Sequence, residues 1–410
     1  MGYASTAGRR DDGYEPRRER SALGRRDFLR RVGLAAGGTL LLEACRGADT
    51  SRDTGVTGPS SSQQQCLVDE DQIFSFGASS GGIPALTNPD VVPPGGAGLD
   101  FLSDETRVVG VELGGAALAV PFNILWWHEV VNFDRGEDHV AVTRCPLTGS
   151  SRCFLRDAIG DRPYAVSGLV FLSNLMLSTG DEQPTLIPQM AGRAACGPRS
   201  GLVLATWPSV ETRWSRWREL HPDTVVVSSR TGWNRNYSFF PYNSDYPDPD
   251  NPDTVVPVPQ LDPRRPPKEV VLGVPSGGGA QVPGKTRGSG LAFPFGELAT
   301  KGSLAAVEAT VDAVRMVVLW ERASRTATAV LPKVTGLASD DPNEGRSVTL
   351  GVEGGEIRDA ETDSTWRVDG RATAGPLAGA RLEPVSRAYT AFWFAWALFQ
   401  PETKIWEAGG

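Results

Sequence analysis

Residues 192–198 read GRAACGP and residues 370–376 read GRATAGP, so the chain spells one turn-rich phrase twice. An ordered internal repeat dictates architecture before any residue-level detail, because each copy must close the same kind of unit. The echo runs on in both directions. From Gly192 the text continues as GRAACGPRSGLVL, reaches Trp214 and Trp217, and arrives at HPDT (221–224). From Gly370 it continues as GRATAGPLAGARL, reaches Trp393 and Trp396, and arrives at QPET (400–403). Upstream, RVVGVELGGAALAVPF (107–122) answers KEVVLGVPSGGGA (268–280) with GLAFPF (290–295), and VAVTRCPLTGSSRCF (140–154) answers MVVLWERASRTATAV (316–330). Blocks kept in one order imply a tandem duplication, with modules over 105–228 and 268–407.

Each copy spells out its elements. Apolar residues alternate on both sides of Gly114-Gly115, the pattern of a β-hairpin. A second hairpin turns at Pro146 to Gly149. One helix follows, with Ser209 as its N-cap and Trp214, Trp217 and Leu220 on one face, and the strand TVVV (224–227) closes the unit. The second copy offers AYTAFWFAWALF as its helix and TKIW as its strand. With 47 Gly and 31 Pro, the composition also favours a turn-rich, strand-rich body. The expected fold is α+β, mainly β: two tandem duplicated modules, each of β-hairpins plus one C-terminal helix. Residues 66–104 are an N-terminal extension. Residues 229–267 are a Pro-rich linker whose Trp233, Tyr237, Phe239, Phe240, Tyr242 and Tyr246 plaster it onto the domain surface or, in the alternative, make it a ligand-clamping loop.

The first 45 residues carry an address. In GRRDFLRRVGLAAGGTLLLEAC (24–45), Arg25 and Arg26 precede a short apolar run that ends at Cys45. The run is too short to span a bilayer, which takes about 20 residues, and it reads as the apolar region of a signal. The arginine pair resembles a twin-arginine export signal, and Leu42-Glu43-Ala44-Cys45 resembles a lipobox whose cysteine becomes acylated. The expected location is the outer face of the cytoplasmic membrane or the cell surface, with a lipid anchor at Cys45 and a flexible polar tether over 46–65. Beyond residue 45 the chain holds 32 basic and 43 acidic groups. No basic face is left for nucleic acid, so the expected partners are the membrane, through the anchor, and a small ligand or a protein.

GGIPAL (81–86), LWWHEVVNF (125–133), VTRCPLTGS (142–150), YAVSGLVFLSNLML (164–177), ELHPDTVVV (219–227) and FWFAWALFQPETKIW (392–406) resemble the domain of unknown function 3179 family from Gly81 to the C-terminus. The resemblance implies an exported or membrane-attached protein and brings no established activity. Members typically carry a WHE…N block and a CPL block, often extended to CPLCG. Thr148 stands here at the second cysteine, so a C-x-x-C redox or metal site is not implied.

A duplicated fold needs its core twice and a site once. His128, Cys145, Cys153 and Cys196 all lie in the first copy, whereas Glu321, Ala329 and Ala374 align with the three cysteines in the second. The candidate site is therefore His128, Cys145 and Cys196, with Glu129 or His139 nearby and Asn174 and Gln189 lining the same pocket. One imidazole and two thiolates suit a soft metal such as copper or zinc. The same residues suit a Cys-His nucleophile pair in an extracytoplasmic enzyme. The third reading is a structural surface protein with every cysteine paired, as Cys145–Cys196 and Cys66–Cys153. His221 and Asp223 are read as helix-end residues.

Overall fold

The computed structural model describes residues 66–76, 82–277 and 288–409. Arg25, Arg26, Cys45 and the 46–65 tether lie outside the described residues. The protein is mainly β, with short helices attached. Among the described residues no helix is long and apolar enough to cross a membrane.

Gly114 and Gly115 sit at φ 56° and 77° and join Arg107–Leu113 to Ala116–Pro121 by a two-residue turn that glycine makes without steric cost. Pro121 ends the second strand, because proline has no N–H for the ladder, and the chain turns at once into α1 (Phe122–His128). This helix precedes the expected one. In the expected helical region, residues 210–213 form a strand and Arg213 takes the N-cap position, so Ser209 is no cap and α2 covers only Trp214–Leu220. The second half repeats both corrections. Pro294 precedes α3 (Phe295–Thr300), and AYTAFWFAWALF divides into the strand Tyr389–Phe392 and α4 (Trp393–Phe399).

Each half builds the same central sheet. In the first, Arg107–Leu113 pairs antiparallel with Val210–Arg213 and Ala116–Pro121, and the latter pairs in parallel with Val225–Val227. In the second, Val270–Pro275 pairs with Tyr389–Phe392 and Gly290–Pro294, which runs parallel to Lys404–Ile405. Trp217 of α2 lies over Gly110, and Trp396 of α4 lies over Gly273. Each indole N–H donates forward, to Thr224 at 2.8 Å and to Thr403 at 2.9 Å. The tryptophan stripes are core. A second sheet in each half carries the expected CPLTG-type hairpin and its counterpart, with Val142 opposite Cys153 and Val318 opposite Ala329.

The 66–104 extension is no separate appendage. Its strands Ile73–Ser75, Leu86–Thr87 and Val91–Val92 each join a different sheet of the first half.

The halves meet across buried polar contacts. Glu211 accepts from Arg107 at 3.1 Å, Arg144 at 3.3 Å, Ser151 at 3.0 Å and Thr390 of the second half at 2.5 Å. Arg107 continues across to the carbonyl of Ser324 at 2.7 Å, and Thr326 donates to Thr212 at 2.6 Å. His221, at the end of α2, packs on Trp217 at 4.0 Å and lies 3.4 Å from the Asp369 carboxylate of the second half. Its place is the structural one expected.

Candidate functional site

Cys196 does not belong to a thiolate site. It is bonded to Cys66, while Cys145 and Cys153 are free and buried, so neither of the two expected pairings forms. The turns around it explain why. Gly192 and Gly197, like Gly370 and Gly375, adopt positive φ, which preserves the turn in both halves. Only the first half has an N-terminal extension to fasten, and Cys196 fastens it. Ala374 has no such duty. A thiol titration without reductant should therefore find none of Cys66, Cys145, Cys153 and Cys196 reactive under native conditions and two of them in denaturant. Four unreactive cysteines in denaturant would contradict this arrangement.

His128 closes α1, and burial holds its pKa down to about 4. Its Nδ1 lies 2.7 Å from the carbonyl of Pro84, which only accepts, so the proton sits on Nδ1. Nε2 then accepts from the Tyr237 hydroxyl at 2.7 Å, and that oxygen in turn accepts from Thr231 at 2.6 Å. Both nitrogens are committed. His139 lies six residues before Cys145, at the half-buried start of the same strand, on Asp134 at 2.7 Å. Among the described residues no three His, Cys, Asp or Glu side chains gather to hold a metal ion. The proposed His128, Cys145 and Cys196 ligand set for copper or zinc thus has one member oxidised and one locked as a neutral hydrogen-bonded ring. The Cys-His nucleophile pair fails for the same reason.

Glu129 is what stands beside Cys145. The residue ends α1 at φ 56°, a left-handed conformation that costs a non-glycine residue about 1 kcal/mol or more. The backbone N–H of Arg144 donates to the Glu129 carbonyl at 2.8 Å, which brings the carboxyl alongside the next residue, Cys145. Glu129 is 4% exposed and Cys145 fully buried. Burial pushes the carboxyl up to about 8, so it is neutral at pH 7, although a hydrogen bond with Tyr242 works the other way. Burial, followed by the Glu129 charge, pushes the thiol up to about 11. The Leu175 N–H donates to Cys145 Sγ at 3.3 Å.

Asn174 and Gln189 do lie next to this thiol, in one network. Asn174 Nδ2 donates to Gln189 Oε1 at 3.0 Å and to Thr148 at 3.1 Å, and Ser150 donates to Gln189 Oε1 at 2.7 Å. Gln189 Nε2 donates to Thr143 at 3.1 Å. The turn before Asn174 is unusual. Leu172 and Ser173 both have positive φ, both are buried, and Ser173 Oγ has no hydrogen-bond partner. An orphan hydroxyl in a core is rare enough to need a reason.

Over this cluster lies the linker. Tyr237 reaches His128, Tyr242 reaches Glu129, and the Tyr246 hydroxyl donates to the Leu147 carbonyl at 2.8 Å. Lys268, buried at the linker's end, places its ammonium 3.8 Å above the Tyr246 ring and donates to the Asp253 carbonyl at 2.7 Å. Tyr237 and Tyr246 are buried against the domain, on the WHE and CPLTG residues, whereas Trp233 and Phe239, expected to do the same, are exposed. The aromatic density of an otherwise polar linker singled out these tyrosines in the sequence but not the residues they meet. Thr143 and Ser150 carried no sequence signal.

The WHE turn, the CPLTG turn and the SNLML strand thus converge on one buried cluster, and a family model matches residues 80–403, which contain all three. The chain belongs to DUF3179, a family of proteins of unknown function. No curated protein and no solved structure matches the chain. In this chain the three motifs bring together a neutral carboxyl, a protonated thiol and an amide network, with phenols of the linker over them.

Proposed function

We propose that this DUF3179 protein is exported by the twin-arginine route, anchored to the membrane through acylated Cys45, and binds a small neutral ligand or a partner at the Glu129–Cys145 cluster of its first half. The observation that carries the binding reading is Glu129: a buried residue held in a strained backbone conformation with its carboxyl near enough to Cys145 to raise the thiol's pKa. Strain of this kind persists where a site requires it. The orphan Ser173 hydroxyl next to the same thiol supports it. The Cys66–Cys196 bond supports an oxidising compartment and therefore export. A tandem duplication accounts for the matching central sheets and leaves the second half as the partner that buttresses the first.

Export is tested by fractionating cells that make the full chain. Wild type should sediment with membranes, Cys45→Ala should appear soluble outside the cytoplasm, and an Arg25→Lys/Arg26→Lys chain should stay inside. Equal distribution of all three would sink the address. Binding is tested by melting the exported protein against sugars, phenols, other neutral metabolites and metal salts. Hits should raise the wild-type melting temperature and lose their effect in Glu129→Leu. Hits that act equally on both chains, or none at all, would refute the site.

A further inference from the structure

Two acceptors of the first half are each met by a phenol from one short stretch of linker, His128 Nε2 by Tyr237 and the Leu147 carbonyl by Tyr246. The Tyr242 phenol lies between them, close enough to the Glu129 carboxyl to act on its pKa. Flat apolar faces accompany two of the phenols. Phe101 lies 5.7 Å from the Tyr237 ring and Phe76 stacks on Tyr242 at 6.3 Å.

The stretch itself is held lightly. It contains no helix or strand, and its own backbone bonds are local turns such as Phe239 N–H to Asn236 and Tyr246 N–H to Asn243. Helix α1 grips its backbone through side chains: Asn123 donates to the Tyr237 carbonyl at 2.6 Å and Trp127 to the Asn236 carbonyl at 3.1 Å. Lifting it breaks no sheet. Lys268 and Arg144 are turned elsewhere, Lys268 onto Tyr246 and Asp253 and Arg144 onto Glu211 and the Phe122 face. Arg235 lies over the Trp127 ring and near enough to His128 and Tyr237 to act on the pKa of both.

We propose that the surface running from His128 through Glu129 to Leu147 is a binding site for a neutral ring bearing hydroxyl groups, occupied by the chain's own Tyr237, Tyr242 and Tyr246 until such a ligand displaces them. The inference rests on the preceding reading that the first-half cluster binds a ligand, and it adds the ligand's chemistry and its competitor. Phenols and sugars share that chemistry: hydroxyl donors on the edge of a ring with an apolar face.

Alkylation of Cys145 by iodoacetamide, followed by mass spectrometry on the full exported chain, reports the cover lifting. Cys153 is the internal reference, since it is buried in a different cluster under Trp207. Tyr246→Phe removes the cover's hydrogen bond to the Leu147 carbonyl and should speed Cys145 alkylation roughly tenfold while leaving Cys153 unchanged. If that chain misfolds, Cys153 accelerates too, and Tyr237→Phe replaces it. On wild type, p-cresol tests the phenolic source and glucose the sugar source, with toluene and benzoate as ring controls lacking a neutral hydroxyl. Saturable acceleration by p-cresol or by glucose, absent with the controls, supports the proposal and names the source. Failure of both, equal action by toluene or benzoate, or unchanged alkylation in both tyrosine variants overturns it. A compound that raises the melting temperature without exposing Cys145 would leave binding standing and remove this competitor alone.

Discussion

Gly110→Ala should abolish cooperative folding of the first half. A Cβ at Gly110 would lie 2.2, 2.3 and 2.5 Å from ring carbons of Trp217, far inside van der Waals contact. The ring has nowhere to retreat. Its N–H is tied to Thr224 at 2.8 Å, and it is packed among Val108, Ala119 and Val226 in a cluster without exposed members. Either the helix lifts from the sheet or the strand bows, and both expose the core that α2 covers. We expect a loss above about 4 kcal/mol, the range reserved for such overpacking and close to the whole stability of a domain. Gly273→Ala should do the same to the second half, because the Trp396 ring stands at the same three distances. Urea titrations followed by tryptophan fluorescence would show the transition weakened or lost. A Gly110→Ala chain with the wild-type midpoint would mean that the helix does not sit where we place it. Trp217→Phe, added to Gly110→Ala, should recover part of the loss by shortening the ring.

Glu211→Gln comes next in expected effect. Burial alone would raise this carboxyl, but Arg144, Arg107 and the Thr390 hydroxyl together hold it below the ordinary glutamate range. The amide would leave two guanidinium groups in the interface without a counter-charge, at a cost of about 3–5 kcal/mol. The pH dependence has a definite sign. A carboxyl whose folded pKa is depressed contributes stability that is complete above its unfolded pKa, about 4.3, and is lost as pH falls through the folded value. The gap between wild type and Glu211→Gln should thus be full at pH 7 and shrink as acid is added below about pH 4. Denaturant midpoints at a series of pH values measure it. A gap that stays constant down to pH 3 would show that Glu211 is not the charge joining Arg107 and Arg144.

The sequence made periodic and punctuated features plain and left side-chain meetings hidden. The tryptophan stripe, the Gly-Gly hairpin and the CPLTG turn were legible because spacing alone determines them. Helix α1 was not, since an apolar run of a few residues without a capping side chain reads equally as strand. The difference between GRAACGP and GRATAGP was visible at once, but its reason lay 130 residues upstream at Cys66, a separation that no local pattern reports. Of the candidate site, Asn174 and Gln189 come together because the Asn174 strand pairs with Leu186–Pro188, Cys145 meets them from another sheet through the Leu175 N–H, and Glu129 joins them in place of His128. A glutamate at positive φ cannot be read from letters, for glycine is the residue that ordinarily marks such a turn. The linker tyrosines have no period. Only the fold shows that each one ends on a residue of the site.

The bridge at Cys66 also determines how a pull on the N-terminal side of the chain is borne. Force arriving from a membrane tether would reach Cys66 and pass through sulfur to Cys196, in the interior of the first half. The three-residue strand Ile73–Ser75, which hydrogen bonds alone would release by unzipping, then carries no load. An anchored protein jostled at a cell surface would in this way hang from a covalent rivet.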